Sequence, residues 1–113
     1  MDCLFCKIAK KEIPSQIVFE NKDIVAFRDI APQAPVHILI IPTKHIPGMN
    51  EITLQDGGLL SQIQLVAREL AKKENISEDG YRLVTNCGSN AGQAVLHLHY
   101  HLLGGRKFTW PPG

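Results

Sequence analysis

A chain of 113 residues, 44% apolar and 20% charged, has the length and composition of one globular domain with its own core, and it is too apolar for a disordered polymer. Twelve basic and eleven acidic residues leave a net charge of +1, which argues against the basic footprint of a nucleic-acid binder or of a protein held on anionic membrane. Any phosphate bound here must be held by local geometry rather than by bulk charge. The longest apolar runs, such as Ile38–Ile41, are four residues long, against the roughly 20 that cross a bilayer. The first seven residues lack the apolar core of a signal peptide, so the expected location is the cytoplasm. Three cysteines, an odd number without secretory context, point to thiols or a metal site rather than a disulfide framework.

In chain order, Leu4, Phe5, Ile8 and Ala9 predict one or two helical turns within residues 3–11, stopped before Pro14. Ile17–Glu20 and Ile24–Arg28 are β-rich on either side of the polar Asn21-Lys22-Asp23, which predicts a hairpin. A proline-punctuated loop over 29–35 leads to Val36–Ile41, apolar enough for a central strand ending at Pro42. Thr53–Asn75 carries the long helical pattern, with Leu59, Leu60, Ile63, Val66, Ala67, Leu70 and Ala71 at helical spacing. Thr53 and Asp56 predict a capping box, although Gly57 and Gly58 weaken the first turn. Strands over Gly80–Cys87 and His97–Leu103 complete the set, separated by a glycine-bearing stretch over 88–92. About five strands, one long helix and a short N-terminal helix, without βαβ alternation, predict an α+β fold with an antiparallel sheet. The helix must cover one sheet face, leaving the other for a ligand or a partner. Without repeats or linkers, residues 1–113 are expected to form one domain.

The most informative segment is His97-Leu98-His99-Tyr100-His101-Leu102-Leu103, which holds three of the five histidines. Strand side chains alternate, so the three imidazoles share one face. They do not suit a single metal ion, because His97 and His101 would lie ~13 Å apart on a strand rising about 3.4 Å per residue. Neutral imidazole is instead a nucleophile near pH 7, and attack on a phosphoryl group by a ring such as His99 would give a nucleotidyl-imidazole that water then hydrolyses. Consecutive amides near Gly92 can form an anion-binding concavity. Cys3-Leu4-Phe5-Cys6 is a C-x-x-C pair without the βαβ context of a redox motif; as structural zinc it would need two more ligands, for example two histidines. Cys87 is expected to be a buried small side chain, and Phe27 and Ile30 suit a core as well as a pocket wall.

The stretch His-Leu-His-Tyr-His-Leu-Leu-Gly-Gly-Arg at 97–106 resembles the signature of the histidine-triad (HIT) nucleotide-binding family. Lys11–Pro14, Phe27–His37, Asn86, Gly92-Gln93 and Trp110–Gly113 extend the resemblance toward its Hint branch. It implies a HIT-like fold and hydrolysis of purine nucleoside phosphoramidates, without metal in the chemistry. By the same resemblance His99 is the nucleophile, His101 contacts the phosphate, and His37 supports both. Asp29 would take the ribose hydroxyls, while Phe5, Ile8, Phe27, Ile30 and Leu39 would line the base pocket. Asn86 and the amides of Gly92, Gln93 and Ala94 would hold the phosphate. A homodimer is implied, its sheets joined across the interface and the Trp110 tail approaching the partner's site. Bacterial members of the wider family that resemble this chain pair such cysteines with two histidines, which implies structural zinc on Cys3, Cys6, His45 and His97. One departure stands out: Ala94 occupies a position where this branch commonly has serine. The alternatives are a non-catalytic nucleotide-sensing or interaction module and, less favoured, a dinucleotide polyphosphate hydrolase or nucleotidyl transferase.

Overall fold

The computed structural model describes residues 3–113. The elements are α1 (Leu4–Ala9), β1 (Ile17–Glu20), β2 (Ile24–Arg28), β3 (Val36–Pro42), α2 (Gly57–Lys73), β4 (Tyr81–Val84) and β5 (Tyr100–Gly104), with three short 3-10 turns between them. The strands form one five-stranded sheet in the order β1-β2-β3-β5-β4, and every neighbouring pair is antiparallel. The expected α+β architecture is therefore present, with β3 at the centre.

Strand alternation sorts the side chains onto two faces. Ile24 and Ala26 of β2, Ile38 and Ile40 of β3 and Leu102 of β5 meet Ile63, Ala67, Leu70 and Ala71 of α2. All of these are buried, and cutting one large aliphatic side chain there to alanine costs about 2–5 kcal/mol. The residues between them, Val25, Phe27, Leu39 and Ile41, face the other way and pack against Phe5 and Ile8 of α1. The second face is thus partly covered by α1, and only what α1 leaves open is available to a ligand.

Helix boundaries follow local chemistry. The capping box forms between Thr53 and Asp56, but it opens a 3-10 turn at Leu54–Asp56, and α2 proper starts at Gly57. The Asp56 carboxylate already takes the Thr53 amide and the Lys44 ammonium, both within hydrogen-bond distance, so it does not cap α2. At the far end Asn75 adopts φ 61°. Its amide reaches Lys72 O, and that of Ile76 reaches Ala71 O, which closes a Schellman motif. Ile76 then tucks under β5, where a Cβ on Gly104 would lie 2.5 Å from Ile76 Cδ1, so only glycine fits. Arg28 joins the end of β2 to Glu74 by two contacts of 2.9 and 3.0 Å.

The two C-terminal strands are shorter than expected. β4 stops at Val84 and β5 begins at Tyr100, so His97 and His99 precede the sheet ladder. The stretch from Val95 through His97 bends instead of pairing. No helix among the described residues is long and apolar enough to cross a membrane.

Candidate active site

His101 on β5 pairs with Leu39 on β3, and His37 pairs with Leu103, which places the two imidazoles diagonally across the central strands. His37 Nε2 lies 2.9 Å from His101 Nδ1. The direction of that hydrogen bond is determined. The Gln33 amide donates to His37 Nδ1 at 3.0 Å, so that nitrogen has no proton and Nε2 carries it. His37 therefore donates to His101 Nδ1, and the neutral His101 ring keeps its proton on Nε2. Burial is the main cause that holds the His101 pKa down to about 4, with His99 and His37 adding to it and Asp29 opposing. Burial likewise lowers the His37 pKa against the pull of Asp29.

His99 is polarised the other way. Its Nδ1 lies 2.7 Å from the His97 carbonyl. A carbonyl can only accept, so Nδ1 carries a proton, and in the neutral ring the lone pair is then on Nε2. The ring is buried, edge-on to Phe5 at 5.0 Å between centroids, and 5.1 Å from the His101 ring.

These rings border a cleft of about 320 Å³, within the range of small-molecule sites. Phe5, Ile8, Phe27 and Leu39 are buried in its walls, with Asp29, Ala94, His99 and His101 also lining it. Ile30 lines it too, yet is fully exposed, which corrects the expectation of a core residue: the loop after Asp29 leaves the sheet before Ile30 can reach the interior. Asp29 forms an Asx turn onto the Ala31 amide (2.8 Å), and its second oxygen lies 3.4 Å from His37 Nε2. The trio Asp29, His37 and His101 brings three metal-capable atoms together. Binding an ion through His37 Nε2, however, would displace the proton that the Gln33 contact assigns to it, so the trio reads as a hydrogen-bond relay.

The proposed phosphate contacts divide. The amides of Gly92 and Gln93 donate to Ser89 O and Gly88 O inside their own turn, where Gly92 adopts φ 83°, so they are not available as an anion cradle. The Gln93 side chain braces the same loop, taking the Gly88 amide and donating to Pro47 O and Val95 O. Gly92, Gln93, Asn86 and Trp110 do not line the cleft, whereas Ala94 does. Trp110 is 82% exposed, and Cys87 is half-buried rather than buried. Sequence reasoning missed Leu4, Ile13, Pro14, Ser15, Arg28 and Val95, all of which line the cleft. The signal for Ile13–Ser15 was present: a chain that leaves a short helix for a neighbouring strand must pass the rim between them.

Beside the cleft, Cys3, Cys6, His45 and His97 bring one ligand atom each within 4.8 Å of one another. Cys3 caps α1, its sulfur accepting the Cys6 amide, which places both thiols at the start of the helix. His97 Nε2 donates to Pro42 O at 2.8 Å, leaving the Nδ1 lone pair to face Cys3 Sγ (3.3 Å), Cys6 Sγ (3.6 Å) and His45 Nδ1 (3.2 Å). Cys6 Sγ and His45 Nδ1 are 3.3 Å apart. Tetrahedral zinc, with bonds of about 2.0–2.1 Å to nitrogen and 2.3 Å to sulfur, requires edges of roughly 3.3–3.8 Å. The donor set and spacing fit such an ion.

A five-stranded antiparallel sheet carrying a histidine row beside an apolar cleft defines a histidine-triad protein. Residues 10–108 match the HIT domain family, and the chain belongs to it. It is similar to the purine nucleoside phosphoramidase of Escherichia coli, with 49% identity over 105 residues, covering 93% of this chain and 88% of that protein. An uncharacterised HIT-like protein of Synechococcus elongatus is 50% identical over 112 residues, 99% of this chain and 97% of that one. In three dimensions the chain is similar to a HIT family hydrolase from Legionella pneumophila, with TM-score 0.98, 59% identity, and coverage of 99% and 100%.

Proposed function

We propose that the protein hydrolyses purine nucleoside 5′-phosphoramidates through a covalent nucleotidyl intermediate on His99. The observation that carries this reading is the His99 Nδ1–H bond to the His97 carbonyl, because it selects the tautomer of the neutral ring whose nucleophilic lone pair is on Nε2, beside an apolar cleft. The similarity to the E. coli phosphoramidase supports the substrate class.

The base lies between Phe5, Ile8, Phe27, Ile30 and Leu39, and Asp29 receives the ribose hydroxyls. His99 Nε2 attacks phosphorus; the new N–P bond forms as the bond to the amine breaks, and the amine departs with the electron pair and takes up a proton from solvent at the cleft mouth. His101 donates from Nε2–H to a phosphoryl oxygen, held in that tautomer by His37. Asn86 and the Ala94 amide are the remaining candidates for phosphate contacts. The substituted His99 ring is cationic, and the His97 carbonyl accepts its Nδ1–H more strongly in that state. Water then attacks phosphorus, releases nucleoside monophosphate and returns His99 to its neutral form, with the proton passing to solvent.

Cys3, Cys6, His45 and His97 would hold a structural zinc ion that joins α1 to the segment before β5 and takes no part in the chemistry. The single domain acts in the cytoplasm as a homodimer, with Trp110, which does not line its own cleft, reaching the partner's. Neither nucleic acid nor membrane is a partner.

The test is hydrolysis of an adenosine 5′-phosphoramidate bearing a fluorescent amine, comparing wild type with His99→Ala. Turnover lost in the variant while adenosine monophosphate still binds supports the proposal. Binding without amine release by wild type would favour a nucleotide-binding module instead. Ala94 gives that second reading its footing, since a methyl group lines the cleft where the family resemblance implies a hydroxyl.

A further inference from the structure

The four-residue cluster and the nucleophile meet at His97. Its ring belongs to the cluster through Nδ1, while its backbone carbonyl takes the Nδ1–H of His99. The β3–β5 ladder begins only at the Ile40–Tyr100 pair. Upstream, Leu98 N–H bonds Ile46 O at 2.6 Å, and the Thr85 hydroxyl donates to His99 O at 2.8 Å. The His97 carbonyl shares its planar peptide with Leu98 N–H, so its orientation rests on that bond to Ile46 O, one residue from His45 of the cluster, and on its own ring, which is pinned at Nε2 by Pro42 O and faces the cluster at Nδ1.

A second connection runs through α1. Cys3 caps the helix and Cys6 lies within it, so ligation at both would fix the short helix in place. Phe5, between the two cysteines, meets the His99 ring edge-on at 5.0 Å and the His97 ring at 6.0 Å. The cluster thus adjoins both groups that touch the His99 ring, the carbonyl at Nδ1 and the aromatic edge of Phe5.

We infer that the Cys3–Cys6–His45–His97 cluster positions the nucleophile, with metal held there orienting the His97 carbonyl and Phe5 so that His99 presents Nε2 to the cleft. His97 and Phe5 act as positioning residues. The inference rests on the reading above that His99 is the nucleophile. A displacement of about 1 Å at a reacting group can cost on the order of 100-fold in rate. Loss of metal is accordingly expected to lower kcat by about 10- to 100-fold, and to weaken adenosine monophosphate binding by less.

The experiment compares full-length wild type, His45→Ala and His45→Cys, each purified in the presence of zinc. Zinc content, phosphoramidate kcat and adenosine monophosphate affinity are measured, and ¹H–¹⁵N imidazole correlations report which His99 nitrogen carries the proton. Wild type and His45→Cys, which keeps four ligands, should hold about one zinc per chain and show the Nδ1–H form. His45→Ala should lose zinc, show mixed His99 signals and lose kcat. A folded, zinc-free His45→Ala that keeps the Nδ1–H form and wild-type kcat overturns the proposal. Should that variant not fold, cobalt-loaded wild type decides. Coupling is reciprocal, so adenosine monophosphate binding should shift the cobalt visible bands, and less so in His99→Ala; unchanged bands overturn it. The imidazole spectra do not depend on turnover. A wild type with no activity would therefore sink the phosphoramidase reading while still deciding this one.

Discussion

His97 and His99 are two residues apart on one short segment, yet the fold gives them opposite chemistry. At His97 a backbone carbonyl meets Nε2, so Nδ1 is left bare and faces two thiols and His45. At His99 a backbone carbonyl meets Nδ1, so Nε2 is left bare. One nitrogen suits a metal ion and the other a phosphorus atom, and the choice is made by which ring atom meets a carbonyl oxygen. His37 and His101 add a third arrangement, in which a backbone amide sets one tautomer and that ring sets the next. The histidine row is thus a set of rings polarised by backbone groups, directly at His37, His97 and His99 and through His37 at His101.

The sharpest way to break this contrast is to remove the rings in turn. His99→Ala should lower phosphoramidate turnover on the order of 10³-fold or more, as loss of a covalent nucleophile does, with nucleoside monophosphate affinity largely kept in calorimetry. Next in size, His37→Ala frees His101 to take either tautomer. Turnover should fall roughly 100-fold, the lower end of what a positioned proton carrier supplies, and steady-state kinetics would show whether it does. On the metal side, Cys3→Ser should bring zinc, measured by elemental analysis, from about one per chain to well below that. Unchanged zinc content would remove the cluster from the list of metal sites.

Stability should depend on pH in a direction set by the same rings. His101 and His37 both have depressed pKa values in the fold. The unfolded chain takes up protons near the ordinary value of 6.5, whereas folded His101 resists until about 4. The associated stability is complete above pH 6.5 and is lost as pH falls toward 4. Asp56, its pKa lowered chiefly by Lys44, adds a further loss below its ordinary 3.8. Urea midpoints across this range should therefore fall, and His101→Asn should flatten the upper part of the decline. The smallest effect expected is at Ala94. A hydroxyl there restores one hydrogen bond, worth about 1 kcal/mol or roughly fivefold in rate, so Ala94→Ser should raise turnover by that order. An unaltered rate would show that the missing serine has no catalytic cost.

The central strand Val36–Pro42 and the amphipathic pattern of α2 were legible because each rests on periodicity along the chain, whereas the histidine row was legible as a motif, only His101 of the three lying on β5. The capping residues Thr53 and Asp56 were legible too, although the glycines after them delay the α-helix by one 3-10 turn. Gly92 and Gln93 show where such reading stops. A glycine-bearing loop suggests free amides, and only the folded turn reveals that Ser89 and Gly88 already accept them. Ile30 is another case, since apolar character does not say that its loop leads outward.

The sequence by itself determined the fold class, the two faces of the central strands and the concentration of imidazoles near one edge of a cleft. These follow from side-chain period and propensity, which are local. Tertiary structure alone decided which nitrogen of each imidazole faces a backbone group, which atom of His97 turns toward Cys3, Cys6 and His45, and that Phe5 stands edge-on to His99. Those outcomes depend on which carbonyl or amide the fold turns toward each ring, from Pro42, 55 residues before His97, to Gln33, four before His37, and no side-chain pattern encodes where a backbone group will point.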